Sequence, residues 1–301
     1  MIWFRRISLF LITNILVMLT IGVIVHVFGF DRFLDQRGLN YPSLMVFCLI
    51  WGFGGAFVSL LLSRWMAKKA MGVQVIDPEN PGGTEERWLV QTVHQLAQKS
   101  GLETMPEVGI YESPDPNAFA TGPDRHSALV AVSTGLFNAM EKNEIEAVLG
   151  HEITHITNGD MVTLTLLQGV INAFVMFLAY VVTFILTRSN DDRRGGGFMA
   201  QYFMRMMFQM VFGMIGMIIV MAFSRWREYR ADAGGGRLSS RQNMAKALRS
   251  LGKYMDQPKP TEPKAIAAFK ISSRDGMLGL WASHPPLEKR IARLESASLN
   301  D

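Results

Sequence analysis

Hydrophobic and polar positions are bunched along this chain, not interspersed. Four stretches, Ile7–Phe30, Tyr41–Ser63, Met161–Thr187 and Met206–Ser224, contain no Asp, Glu, Lys or Arg. Each reaches about the 20 residues that a helix rising 1.5 Å per residue needs to cross a ~30 Å hydrocarbon core. The pattern therefore predicts four membrane-spanning helices, and four in one chain argue against buried helices of a soluble protein. Arg5 and Arg6 precede the first stretch as in a signal peptide. That stretch is long for a signal's apolar region, and no small-x-small cleavage site follows near Phe30, so it reads as an anchor.

The spans divide the chain into a membrane hairpin over 1–63, a polar segment over 64–160, a second hairpin over 161–224 and a polar tail over 225–301. Within the polar segment, periodicity predicts an amphipathic helix over 85–100 and strands over 107–111 and 128–132, with a turn at Pro114–Asn117 between the strands. A helix from Glu144 to Thr157 follows, with Asn143 as N-cap, Glu146 completing a capping box, and Asn158-Gly159 as a stop. Gly195–Gly197 marks the turn of the second hairpin. Gly234–Gly236 and Pro258–Pro263 are expected to separate helical pieces of the tail. The expected fold class is a mainly α membrane protein with four transmembrane helices and an α+β domain built from the two polar segments.

Basic residues orient the anchors. Arg5 and Arg6 flank the first span, and Arg64, Lys68 and Lys69 follow the second, whereas Arg32 and Arg37 between them are balanced by Asp31 and Asp35. The positive-inside rule puts the N-terminus and the segment after Ser63 in the cytoplasm. The loop Arg188–Arg205, with four arginines, points the other way; the first pair decides the reading.

Composition agrees. The 301 residues are 49% hydrophobic and 19% charged, with a mean hydropathy of +0.16, against about a quarter charged in soluble domains. This excludes a disordered tail, a collagen and a solvated coiled coil. A single cysteine, Cys48, excludes a disulfide scaffold and a thiolate zinc finger. The pI of 9.2 reflects a net charge of only +4, too mild to argue for nucleic acid. The expected partner surface is the lipid bilayer.

Residues 151–155 read HEITH, the pattern H-E-x-x-H. On a helix, positions i and i+4 share a face, so His151 and His155 can point at one ion. Glu152 then lies beside the metal and can take a proton from a water activated there. Ile145, Val148, Leu149 and Ile156 give this helix a core face, which favours a packed helix over a chance match. A catalytic zinc needs a third protein ligand and an open position. The run SRWREYRADAGG from Ser224 offers Glu228 and, four residues on, Asp232. One can ligate while the other accepts a hydrogen bond from a ligand histidine and fixes its tautomer. His155 and Glu228 can meet only if the chain crosses the membrane an even number of times between them, and two spans satisfy this. The short gaps from Asn158 to Met161 and from Ser224 to Glu228, each about 5–6 Å along a helix, place the centre near the cytoplasmic headgroups.

HEITH, EYRAD at 228–232, the order of the anchors and the closing SHPPLEKRI at 283–291 resemble the HtpX family, bacterial inner-membrane zinc metalloproteases related to the CAAX prenyl endopeptidases. NAFATG at 117–122 and STGLF at 133–137 fit it as well. The resemblance covers nearly the whole chain. It implies a gluzincin-type peptidase domain on the cytoplasmic face, cleaving misfolded or damaged membrane proteins and unfolded chains in envelope quality control and the stress response. Other membrane quality-control proteases are implied as partners. Carried onto this chain, one Zn2+ would be bound by His151, His155 and Glu228, with Glu152 as catalytic base and Asp232 orienting His151.

His284 or Arg290 could donate to the oxyanion, and His284 could instead take zinc's fourth position or simply open the helix Leu287–Leu294. His26, His94 and His126 read as structural or solvated, and the methionines crowding the fourth span as packing residues. Substrate is expected to add a strand at a sheet edge, through Ala128, Leu129 and Val130 of 128–132, with Asn117, Ala118, Phe119 and Ala120 beside it. Two other readings compete. A non-catalytic zinc-binding membrane scaffold would not need Glu152, and a transporter would want ionisable residues inside its spans.

Overall fold

The structure is a computed structural model and describes residues 40–188, 198–256 and 282–296. The expected first span with His26, the turn at Gly195–Gly197 and the Pro258–Pro263 stretch lie outside the described residues. The described elements run, in chain order, α1 (Tyr41–Met71), β1 (Gln74–Val75), α2 (Thr84–Lys99), β2 (Glu107–Tyr111), β3 (Ala118–Thr121), β4 (Leu129–Ser133), α3 (Thr134–Ala139), α4 (Lys142–Asn158), α5 (Asp160–Arg188), α6 (Phe198–Leu238), α7 (Arg241–Asp256) and α8 (Leu287–Ser296). The chain separates into two units, Met1–Val58 with Thr165–Val220, and Ser59–Leu164 with Met221–Asp301.

The first unit is helical where described. Among the described residues, the three helices α1, α5 and α6 are long and apolar enough to cross a membrane. Cys48 is buried with Leu44, Met45, Phe177 and Val181, which makes it a packing residue. Gly52 lets α1 meet α5 closely: a Cβ there would stand 2.5 Å from Ala173 N. Small residues serve this purpose where no hydrophobic force drives helices together.

The second unit packs helices on a four-stranded sheet in the order β1-β2-β4-β3. β2 and β4 are parallel, with Glu107 opposite Leu129 and Tyr111 opposite Ser133. β3 lies antiparallel to β4, with Ala118 opposite Val132 and Thr121 opposite Leu129. β4 is therefore bonded on both sides and fully buried, and Leu129 and Val130 cannot receive another strand. The sequence reading placed the edge there; β3 forms it instead. An apolar run such as 128–132 suits an interior strand, because both of its faces are covered.

Helix α2 buries Leu89, Val90, Val93, Leu96 and Ala97 along one stripe, with Glu85 and Glu86 at its positive end and Lys99 at its negative end. Helix α4 buries Ile145, Leu149, Ile153 and Ile156 in the same core. Its cap differs from the expected one. Glu141 is the N-cap and Glu144 closes the capping box, its side chain accepting Glu141 N–H at 2.8 Å. Asn143 instead accepts from Glu144 N inside the first turn. The expected stop holds: Gly159 caps the helix at φ 62°, a left-handed conformation that glycine adopts without strain.

The glycine run does not break α6, which continues through Gly234–Gly236 to Leu238. Three helical glycines cost roughly 1 kcal/mol each relative to alanine, so packing must hold this stretch. A Cβ on Gly234 would stand 2.3 Å from Thr154 Oγ1, and one on Gly235 would stand 2.9 Å from His151 N. Gly234 and Gly235 are the contact surface between α6 and α4.

Candidate active site

The HEITH turn of α4 carries His151 and His155 on one face, their rings edge to face with centroids 4.7 Å apart. Helix α6 crosses that face and brings in Glu228, which is 1% exposed. The three facing spacings are 3.1 Å between the two Nε2 atoms, 3.3 Å from Glu228 Oε1 to His155 Nε2 and 3.5 Å from Glu228 Oε2 to His151 Nε2. A tetrahedron with ligand bonds of about 2.0–2.1 Å has edges of about 3.3 Å. One atom from each residue lies within 4.8 Å of the others. The donor set fits a metal ion.

Each outer ring nitrogen faces a carboxylate. His155 Nδ1 lies 2.6 Å from Asp160 Oδ2. His151 Nδ1 lies 3.0 Å from Asp232 Oδ1, near enough to pair but out of line for a good hydrogen bond. Asp232 is in turn held by Arg290, whose Nε and Nη2 donate to its two oxygens at 2.7 and 2.6 Å. Such outer partners set which ring nitrogen is left to bind metal.

The electrostatics of the cluster are those of a cation site. Burial disfavours charge on Glu228, yet hydrogen bonds from His151, His155 and His284 outweigh it and hold the carboxyl far below the usual range. Asp232 is likewise opposed by burial and held low by Arg290 and His151. Burial opposes protonation of His151, but Asp232 and Glu228 raise it to about 9. In the metal-free protein a proton thus compensates the buried carboxylates.

Glu152, between the two histidines in the motif, accepts the Ala120 main-chain N–H on its Oε2 at 2.8 Å, and its charge favours the protonated forms of both His151 and His155. Ala120 belongs to the edge strand β3. Asn117 O accepts from Ser133 N, so odd-numbered residues of this segment bond β4 while Ala118 and Ala120 turn their main-chain groups outward. Asn117 itself is tied by its N–H to Ser133 Oγ, and Phe119 packs against Tyr111.

His284 Nδ1 donates to Glu228 Oε2 at 2.7 Å, while the rest of its side chain is 63% exposed. It stands beside the ligand cluster but is not one of the three residues in it. Arg290 departs from the expectation of an oxyanion donor. It is buried, two of its donors are committed to Asp232, and Nη1 lies 3.6 Å from Glu228. An arginine with its charge this well matched by carboxylates serves to hold them. His94 lines a surface cavity with Ile76, Val90 and Met105, and His126 Nδ1 pairs with Thr104 Oγ1 at 3.2 Å; neither approaches the cluster. Sequence reasoning missed Asp160. Its one signal was an acidic residue immediately after the Gly159 stop, which reads equally well as a helix-start charge.

Three comparisons bear on this geometry. The family model "Peptidase family M48" matches residues 84–298. "Protease HtpX homolog" of Chlorobium limicola is 50% identical over 98% of this chain and 100% of its own length. "Protease HtpX" of Idiomarina loihiensis is 50% identical over 97% and 99%. The crystal structure of S. mikatae Ste24p shares the fold, with a TM-score of 0.60 at 19% identity, covering 96% of this chain and 67% of that one. The H-E-x-x-H turn, Glu228 and the tail arginine all fall inside the matched span, and with relatives of this similarity along its length the chain belongs to peptidase family M48, as a membrane metalloprotease of the HtpX group.

Proposed function

We propose that this protein is a zinc-dependent endopeptidase that hydrolyses misfolded or damaged membrane proteins near the bilayer, as part of envelope quality control. In this reading four spans anchor it in the inner membrane. Residues 64–160 and 225–301 together form a gluzincin-type domain on the cytoplasmic side.

The observation that carries the reading is the position of Glu152. Its carboxylate is tied to the outward Ala120 N–H of β3 and lies near enough to His151 and His155 to act on the charge of both rings. An extended substrate paired with β3 gains main-chain hydrogen bonds from Ala118 and from the Ala120 carbonyl, whatever its side chains. Its scissile bond then lies between that edge and the His151–His155–Glu228 face. Those three residues would hold one zinc, which would supply Lewis acidity to the reacting oxygen. Glu152 takes the proton of the attacking water on Oε1, the oxygen not engaged by Ala120, and delivers it to the leaving nitrogen. Asp232 keeps the His151 imidazole oriented with Nε2 inward. His284, exposed and anchored through Nδ1 to Glu228, is the candidate donor to the developing oxyanion. A zinc-binding scaffold would use the same ligands but has no need of a carboxylate bridging them to a strand edge.

The test is metal content and cleavage of casein or a membrane-protein substrate by the full chain purified in detergent. Wild type and Glu152→Gln should each hold about one zinc, and only the wild type should cleave. Comparable cleavage by the variant, with contaminating proteases excluded, would overturn the mechanism.

A further inference from the structure

His155 and His151 are supported differently. The support for His151 comes from far along the chain, through Asp232 and Arg290. The support for His155 is local: five residues on, Asp160 places Oδ2 2.6 Å from its Nδ1. Between them Gly159, at φ 62°, caps α4 in the left-handed conformation, and the next residue, Asp160, reaches His155 in its last turn. Asp160 is 3% exposed and opens helix α5, where free N–H groups and the positive end of the helix dipole favour a carboxylate. Arg227, the neighbour of Glu228, donates from Nη1 to the Asp160 main-chain oxygen at 3.4 Å. The same residue thus touches a donor imidazole, begins a helix long enough to span a membrane and is tied to the third-ligand turn of α6.

We infer that Asp160 is a positioning residue of the metal centre: its buried carboxylate fixes His155 with the proton on Nδ1 and the Nε2 lone pair aimed at the ion. The carboxylate can only accept, so the shared proton sits on Nδ1 and the lone pair is left on Nε2. Partial charge passed through that hydrogen bond also makes Nε2 a better donor to metal. The inference rests on the reading of His155 as a zinc ligand.

Full-length Asp160→Ala and Asp160→Asn, purified in detergent, test it by zinc affinity in chelator competition and by the visible absorption spectrum of the cobalt-substituted protein. The alanine variant should lose about 10–100-fold in zinc affinity and change the cobalt spectrum. The asparagine variant, which keeps an acceptor without the charge, should lose several-fold and keep a spectrum near that of wild type. Thermal unfolding of the metal-free variants separates this from simple destabilisation, which lowers the midpoint and leaves the cobalt spectrum of the folded fraction unaltered. Wild-type zinc affinity in either variant that folds would overturn the assignment, and Asp160→Asn decides alone if Asp160→Ala does not fold. A wild type that binds no zinc would overturn the metalloprotease reading itself.

Discussion

Gly235 of α6 lies directly on the backbone of His151: a Cβ at 235 would stand 2.9 Å from His151 N and 3.1 Å from Ala147 O. From the other side, a Cβ on Gly150 would stand 3.3 Å from Gly235 Cα. Glycine meets glycine where the helix carrying Glu228 and Asp232 crosses the helix carrying the histidines. That contact sets how far apart the donors are.

Gly235→Ala should therefore weaken zinc binding and lower the unfolding temperature, since overpacking costs about 1–3 kcal/mol against about 1 kcal/mol gained in helix propensity. Gly236→Ala is the control. Its Cβ would meet Arg241 Cγ at 3.2 Å, part of a flexible side chain, so stability should stay within about 1 kcal/mol of wild type. Thermal unfolding with and without zinc measures both, and equal behaviour of the two variants would contradict this account.

Arg290 is the counter-charge for Asp232. Removing it as Arg290→Ala leaves a buried carboxylate without its partner, a loss of about 3–5 kcal/mol. Arg290→Lys cannot make the two parallel bonds of the guanidinium and should recover only part of it. Denaturant unfolding of the metal-free protein should rank wild type above Lys above Ala; a lysine variant as stable as wild type would return Arg290 to the list of substrate-facing donors.

The edge strand makes a separate claim. Ala118→Pro removes an outward N–H on β3, a position where proline is tolerated. It should leave zinc content and folding intact while reducing cleavage of extended peptides. Val130→Pro removes a ladder bond from the interior strand β4 and should prevent folding. Unchanged turnover by a folded Ala118→Pro variant would move the binding edge elsewhere.

The pH dependence has opposite signs with and without metal. In the metal-free protein burial favours neutral His151, but Asp232 and Glu228 outweigh it and lift its pKa from 6.5 to about 9. This contribution to stability is full below pH 6.5 and is lost as the pH rises through about 9. Glu228 and Asp232, held low against burial by their partners, contribute above the ordinary carboxylate range and lose that contribution in acid. Metal-free stability should thus peak on the acid side of neutrality. Zinc must displace the His151 proton, so its affinity should climb by up to about tenfold per pH unit toward pH 9. Chelator competition from pH 6 to 9 checks this, and a flat profile would show that the ring is already neutral.

The proposed placement at the cytoplasmic surface predicts that cysteines introduced at residues 70–80 resist an impermeant reagent in intact cells. Cuts in a membrane substrate should cluster in its cytoplasmic loops and ends near the bilayer. Ready labelling, or cuts confined to outer loops, would refute it.

Much of the site was legible because its logic is local. His151 and His155 share a face by the helical period alone, and so do Glu228 and Asp232, four residues apart on α6. The apolar runs behind α1, α5 and α6 announce themselves by length, since every span faces the same hydrocarbon thickness. Strand β2 matches its expected bounds at Glu107–Tyr111 because a short run with β-branched residues bounded by turn residues has few other solutions.

Tertiary structure decided what depends on neighbours distant in sequence. Whether 128–132 lies at an edge or inside depends on which strands flank it, and an apolar run is silent on that; pairing with both β2 and β3 put it inside. Two overlapping capping boxes are available at 141–146, and Glu141 with Glu144 formed the one that closes. Gly234–Gly236 reads as a break by propensity, but close contact with Thr154 and His151 keeps it helical. Arg290 looked like a free donor until Asp232, 58 residues back, claimed it. Periodicity governs which residues of one element point together, whereas burial and pairing between elements govern what they meet.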